Sequence, residues 1–188
     1  MDNGSYGKGS FLVANPVLPD PNFSRTVVLL CNHNDKGSLG LVINRKSGLT
    51  ASEVFASSEL LAPYEGEVFI GGPVSPSQVF YLCRAPRAVQ DLDEIYPGVY
   101  MGMSWDALEE IMPELDNPDQ DLRFYLGYSG WASGQLAGEM EQRSWLTCDA
   151  LDRFVFHDSE EQIWPGVVQS LGKDYEYLLR APLDPRNN

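Results

Sequence analysis

The stretch Gly127-Tyr128-Ser129-Gly130-Trp131-Ala132-Ser133-Gly134-Gln135-Leu136 crowds three glycines and two large aromatic rings into a strand-to-helix junction. Glycine reaches backbone conformations closed to other residues, and Tyr and Trp must bury large rings, so a loop built this way is packed and not a tether. Residues 122–127 before it carry the β-branched and aromatic character of a strand. Residues 134–142 after it have the length of about two helical turns.

The rest of the chain reads as short strands with a few helices. Residues 10–14 and 25–31 are apolar runs separated by a proline-broken loop, and residues 40–43 continue the pattern, so three neighbouring strands are expected. The turn between the second and third, residues 32–37, is rich in Asn, Asp and Gly, which makes an antiparallel connection the simplest reading. Thr50-Ala51-Ser52-Glu53 matches a capping box and predicts a short helix. Residues 67–70, 78–83 and 98–101 follow as strands, with Gly71-Gly72-Pro73 turning the first of them. Ser104 caps a helix whose Trp105, Leu108, Ile111 and Met112 form one packed face. Phe154-Val155-Phe156 reads as another strand. Ile163, Trp164, Val167, Val168 and Leu171 have helical spacing, with Pro165 in a first turn or at a kink. Strands outnumber helices and do not alternate with them, which points to an α+β fold. At 188 residues the chain fits a single domain over 1–188, with room for a small inserted subdomain around 75–120.

Charge is the sharpest global constraint. Thirteen basic against 27 acidic side chains give 13 − 27 = −14, a field that repels nucleic-acid phosphates and anionic lipid. The acidity reads first as a solubility device and second as a docking surface for a basic partner. No apolar run approaches the roughly 18 residues of a spanning helix, and residues 1–5 lack the basic and apolar regions of a signal peptide, so a cytoplasmic protein without membrane contact is expected. Three widely spaced cysteines, Cys31, Cys83 and Cys148, are expected as reduced thiols.

Several ordered blocks carry a resemblance that spans residues 9–188. They are Gly9-x-Phe11-Leu12-Val13-Ala14-Asn15-Pro16, Asp20-x-x-Phe23-x-Arg25-Thr26-Val27, Gly37-x-Leu39-Gly40-Leu41-Val42-Ile43-Asn44, Gly71-Gly72-Pro73-Val74, and Gly127-Tyr128-x-Gly130-Trp131-x-x-Gly134-Gln135-Leu136-x-x-Glu139. Trp145 and Trp164-x-x-x-Val168-x-x-x-Gly172 complete the order. Together they resemble the YqgE/AlgH family of small bacterial proteins. The resemblance implies a mixed, largely antiparallel sheet curled into a pseudo-barrel with helices packed outside. It brings the label of transcriptional regulator but no particular chemistry. The sequence departs from the family pattern at Asn44-Arg45-Lys46, which lacks a proline, at Cys83, where a histidine is frequent, and in the tail 184–188.

The patterns that would signal chemistry are each incomplete. Gly127-Tyr128-Ser129-Gly130-Trp131 approaches the nucleophile elbow G-x-S-x-G but has Trp131 at the fifth position, so a packed aromatic turn is the better reading. Cys31, His33 and distant His157 are too few and too scattered for zinc. Asp116-Asn117-Pro118-Asp119-Gln120-Asp121 lacks the glycine and closing glutamate of a calcium loop and reads as a solvated acidic loop. Gly71-Gly72-Pro73 loses an amide to proline and belongs to no nucleotide fingerprint. No cofactor or metal is expected.

What remains is a polar group set among apolar blocks. Asn15, Asp20, Arg25, Asn44, Trp131 and Gln135 are the candidate residues of a groove between the 15–25 loop and the 127–135 turn, with Arg25 suited to an anionic group. The alternative at Asp20 and Arg25 is an ion pair bracing their own loop. The leading functional reading is a non-enzymatic regulatory or interaction protein that binds an unknown protein partner or small ligand through this groove. A hydrolase with Asp20 as acid or base is the second class. Direct DNA regulation is the third, and it conflicts with the charge and with the lack of a basic recognition helix.

Overall fold

Runs that are apolar at successive positions need cover on both faces, and residues 11–14 and 27–31 of the first two strands are buried throughout. A computed structural model describes residues 6–16, 18, 20–61, 64–157 and 159–181. Its strands are β1 (Ser10–Ala14), β2 (Val27–Asn34), β3 (Gly37–Val42), β4 (Lys46–Thr50), β5 (Glu67–Ile70), β6 (Val74–Arg84), β7 (Leu92–Tyr96), β8 (Val99–Gly102), β9 (Leu122–Ala132) and β10 (Trp145–Asp149). The helices are α1 (Ala51–Val54), α2 (Trp105–Ile111), α3 (Pro118–Asp121), α4 (Gln135–Glu141), α5 (Asp152–Val155) and α6 (Glu160–Ser170), with 3₁₀ turns at Pro21–Phe23, Met112–Glu114 and Lys173–Arg180.

Among the described residues the strands form one sheet in the order β10-β1-β2-β3-β9-β6-β8-β7, with β5 beside β9 and β4 beside β5. Every pairing is antiparallel except β5 with β9. The fold is α+β, a mixed, largely antiparallel sheet curled into a half-barrel with helices around it. Strand alternation sorts the apolar side chains into three cores. Val27, Leu29 and Cys31 of β2 join Phe80, Tyr125 and the α6 residues Ile163, Trp164, Val167 and Val168. Val28 and Leu30 face the opposite way and pack with Trp131, Trp145 and the α4 residues Leu136 and Met140. Tyr81, Cys83, Leu122 and Phe124 form a third core with α1 and α2.

The eleven-residue β9 ties these layers together. Residues 124–126 pair with β5 along one edge, residues 129–132 pair with β3 further along that edge, and β6 covers the other edge. Where β5 gives way to β3, the chain at Gly71 and Gly72 crosses the backbone at 127–129. The Gly71 amide donates to Leu126 O at 2.8 Å, the Val42 amide donates to Gly71 O at 2.8 Å, and Ser129 Oγ donates to the same carbonyl at 3.1 Å. Gly127 has φ +67, and a Cβ there would come within 2.6 Å of Gly72 O and 2.8 Å of Val74 O.

The Thr50 capping box forms as expected, with Glu53 N donating to Thr50 Oγ1 at 3.3 Å and Thr50 N donating to Glu53 Oε2 at 2.8 Å. Ser104 Oγ accepts from Ala107 N at 3.3 Å and starts α2. Other expectations need correction. The aromatic segment is not a turn: β9 runs through Trp131 to Ala132, and only Ser133 and Gly134, at φ +75, bend the chain into α4. Phe154-Val155-Phe156 is not a strand: Asp152–Val155 forms a short helix. Helix α5 presses Phe154 onto α6, where Gly166 has no side chain to obstruct the ring. Trp105 leaves the packed face of α2 half open at 42% exposure, while Leu108 and Ile111 are fully buried. Pro165 lies inside α6, beyond its first turn. The divergent tail at 184–188 lies outside the described residues.

Replacing Gly127 by alanine forces a Cβ against two carbonyl oxygens in a left-handed conformation, and should cost on the order of 3 kcal/mol. Gly98 has φ +81 with nothing near its missing side chain, so Gly98→Ala should cost only about 1 kcal/mol. Denaturant midpoints of the two variants measure the difference, and equal midpoints would remove the crossing as the cause.

Candidate functional site

The loop joining β1 to β2 and the end of β9 meet over α4 and form a cleft of about 340 Å³. Leu18, Asp20, Phe23, Pro73, Gly130, Trp131, Gln135, Glu139, Gln142, Ser144 and Trp145 line it. Local chemistry shapes each wall. Asp20 caps the 3₁₀ turn Pro21–Phe23, its Oδ1 accepting from Asn22 N at 2.8 Å with Pro21 in the first turn, and so presents Phe23 inward. Gly134 in the left-handed region starts α4 and lets Gln135 Oε1 accept from Ala132 N at 3.1 Å.

The floor is aromatic. Phe23 meets Trp145 edge-on at 5.3 Å and stacks on Trp131 at 6.3 Å, and the two indoles meet edge-on at 6.0 Å. Trp131 is 6% exposed and Trp145 only 1%. Their N–H groups converge on one carboxylate oxygen: Trp131 Nε1 donates to Glu139 Oε2 at 2.9 Å and Trp145 Nε1 donates to it at 2.7 Å. Glu139 Oε1 accepts from Gln135 Nε2 at 3.0 Å, one helical turn away. Charge-assisted bonds of this kind are about twice as strong as neutral ones and fix the rings in place. The lining contains two carboxylates and no basic side chain.

Three of the residues proposed from sequence, Asp20, Trp131 and Gln135, line this cleft, and three do not. Arg25 turns away from it. Its Nη2 donates to Ala181 O at 2.6 Å and its guanidinium lies over Trp164 at 5.2 Å, so it fastens the segment after α6 to the β2 end of the sheet. Asn44 completes the ladder at that end, with Oδ1 accepting from Val27 N at 2.8 Å and Nδ2 donating to Arg25 O at 2.9 Å. Asn15 is tied by its backbone to Ser144 O and Leu18 N. Among the described residues no ion pair joins Asp20 to Arg25. The loop is braced by Arg45, whose Nη2 donates to Pro21 O at 3.1 Å. Burial pulls the Arg45 guanidinium below its ordinary value, and the Asp20 carboxylate opposes that shift.

Glu139, Trp145 and Phe23 complete the cleft, and Arg45 braces its loop from outside the lining; none was among the candidates. Glu139 had a visible signal, since it follows Gln135 by four residues on one helix face.

Other candidate chemistries can be placed as well. Ser129 is fully buried in β9 and its hydroxyl is spent on Gly71 O, so it cannot attack a substrate there. His33 Nδ1 pairs with Ser38 Oγ at 2.7 Å on the exposed end of the β2–β3 hairpin. The described residues contain no cluster of His, Cys, Asp and Glu able to hold a metal. All three cysteines are free. Burial pushes the Cys31 and Cys83 thiols up to about 12 and the Cys148 thiol up to about 11. No helix among the described residues is long and apolar enough to cross a membrane.

A family model described as AlgH-like matches residues 11–176. A UPF0301 protein of Cytophaga hutchinsonii is 38% identical over 182 residues, covering 96% of this chain and 98% of the relative. One of Magnetococcus marinus is 39% identical over 92% and 93%. The solution structure of the AlgH protein from Pseudomonas aeruginosa is similar with a TM-score of 0.74 and 31% identity, covering 97% of each chain. A crystal structure of a Corynebacterium diphtheriae protein shares the fold with a TM-score of 0.80 at 22% identity, covering 95% and 94%.

Removing the Glu139 carboxylate strands two buried indole donors. Glu139→Ala should therefore cost on the order of 2 kcal/mol and alter tryptophan emission, with Glu139→Gln recovering part of the loss. Trp131→Ala should cost about 3 kcal/mol or more by leaving a cavity. Chemical denaturation reads both, and unmoved midpoints would show that neither group holds the floor.

The raised thiol values leave almost no thiolate at neutral pH. Alkylation of the native protein should be slow at Cys31 and Cys83 and fastest at half-buried Cys148, and three thiols per chain should react after denaturation. Rapid native labelling at Cys83 would contradict the burial argument.

Proposed function

Because the chain belongs to the AlgH-like family and its Trp131 cleft joins a fixed aromatic floor to a rim free of basic groups, we propose that the protein is a regulatory or protein-interaction module acting through that cleft. The observation that carries the reading is the convergence of Trp131, Trp145 and Gln135 on Glu139. It sets the floor before any partner arrives, and preorganisation of that kind lowers the entropy cost of binding. A volume of about 340 Å³ lies in the range of ligand clefts. Asp20 and the exposed amide of Gln142 on the rim favour a segment bearing a cation or several hydrogen-bond donors. A regulatory effect of such a module on transcription runs through a protein partner, since a net charge of −14 opposes direct contact with phosphates. The hydrolase alternative gains less support: Asp20 already caps the backbone of its own loop, and Ser129 is buried.

Capture from native lysate with wild-type protein, an Asp20→Asn/Gln142→Lys variant, in which Asn keeps the cap on Asn22 N, and a Glu59→Lys surface control tests the proposal. The wild type and the control should retain a common partner, released by raised salt, that the cleft variant loses while keeping its thermal midpoint. Retention of every partner by the cleft variant would overturn it.

A further inference from the structure

The half-barrel has a second concavity, which borders the first at Trp131 and lies otherwise over different residues. A groove of about 480 Å³ opens there between the outer ends of β2, β3, β6, β8 and β9. Its floor is Leu39, Phe80, Met101 and Tyr128, with the Phe80 and Tyr128 rings edge-on at 5.7 Å. A second trough of about 650 Å³, along Asp91 and Leu92, shares two of its lining residues with the first, Asp93 and Met103. The two depressions therefore meet along one ridge.

That ridge has unusual chemistry for exposed surface. Met103 is a large apolar side chain left 52% exposed, and Gln78 Nε2 holds its sulfur at 3.2 Å, facing the groove. Asp93 lies directly opposite Met101 on β8, so its carboxylate shares the face that Met101 presents to the groove. On an edge strand such a charge also discourages indiscriminate strand pairing. Asp91 extends the negative rim, and Lys36 is the basic side chain on the opposite lip. Methionine offers a soft, adaptable surface to apolar side chains, and the mouths of barrels are common binding positions.

We propose that this groove is a docking surface for a basic peptide segment of a partner protein, one whose large apolar side chains enter it while its Lys or Arg residues meet Asp91 and Asp93. Charge complementarity selects the occupant. A second copy of the chain carries the same −14 charge, and nucleic acid and anionic lipid are repelled by it.

The test uses the full chain with isotope-labelled methionine methyl groups at physiological salt, and three short fluorescent peptides. One alternates Lys with Leu and Phe, one replaces Lys by Glu, and one replaces the apolar residues by Ser. The first should bind and shift the Met101 and Met103 methyl signals, leaving Met112 and Met140 unmoved. Asp91→Lys/Asp93→Lys should weaken it by about tenfold or more, equivalent to about 1.4 kcal/mol, and Lys36→Glu should tighten it. Both substitutions fall on exposed side chains, and an unchanged near-ultraviolet dichroism spectrum confirms folding. Equal binding of the Ser peptide would reduce the effect to net charge and overturn the groove. Binding of the Glu peptide, unshifted Met101 and Met103 signals, or wild-type affinity in the Asp91/Asp93 variant would each overturn the proposal. None of the substituted residues lines the Trp131 cleft, and the Gln142→Lys cleft variant should leave binding of the first peptide unchanged, so the two readings fail independently.

Discussion

The backbone crossing at Gly71-Gly72 and Gly127 is the contact on which the other layers depend. β9 must exchange β5 for β3 along one edge, and the three hydrogen bonds around Gly71 carry the ladder across the break. Side chains at these positions would strike carbonyl groups of the opposite strand. The two glycine-rich motifs are therefore two halves of one feature, although 55 residues separate Gly72 from Gly127 (127 − 72). With the crossing in place, one strand contributes Phe124 to the α2 core, Tyr125 to the α6 core and Trp131 to the α4 core. A displacement there propagates to all three, because packed interiors transmit strain and do not absorb it.

The distribution of cations explains why the Trp131 cleft has no basic side chain in its lining. Arg84 bridges Asp121 and Asp152 beneath Phe156, Arg87 holds Glu110 and Glu114, and Lys46 joins Glu67 to Glu160. Arg25 and Arg45 are committed to backbone carbonyls, and Arg123 lies over Phe69 with Nη2 on His157 O. Basic side chains thus stitch helices and loops to the sheet, while many carboxylates remain at the surface. Exposed pairs add little stability each. Their larger consequence is to hold these cations away from the Trp131 cleft and the Asp91–Asp93 ridge, while Lys36 stays on the lip of the second groove.

Much of the fold was legible because its signals were local. The Thr50 capping box, the Ser104 cap and the apolar runs of β1 and β2 each follow from neighbours a few residues apart. Residues 46–50 and 92–96 carry no local strand signal at their starts, since Lys46-Ser47-Gly48 and Leu92-Asp93-Glu94 lack β-formers and owe their conformation to a partner strand. Phe154-Val155-Phe156 shows the reverse, a β-rich tripeptide turned helical by packing against α6. At the site, Asp20, Trp131 and Gln135 could be grouped from sequence, whereas the roles of Arg25 and Arg45 could not. Nothing local distinguishes the arginine that braces the loop from the one that leaves it, because both partners are carbonyls fixed by tertiary structure.

The two concavities differ in how their floors are held, and this sets the kind of recognition each supports. The Trp131 cleft rests on rings locked by a carboxylate whose oxygens are already occupied by three donors, so Glu139 acts as a shape-holding group and leaves contact to the rim. A ligand there meets a surface that cannot rearrange without breaking charge-assisted bonds, which favours discrimination by fit. At the barrel mouth, Met101 and Met103 carry three side-chain torsions each and can follow the contour of different apolar side chains. Discrimination in that groove must come from the charges of Asp91 and Asp93, whose reach is set by screening and not by shape. A rigid cleft and an adaptable groove that share Trp131 as their border let one small chain hold a specific contact and a tolerant contact side by side.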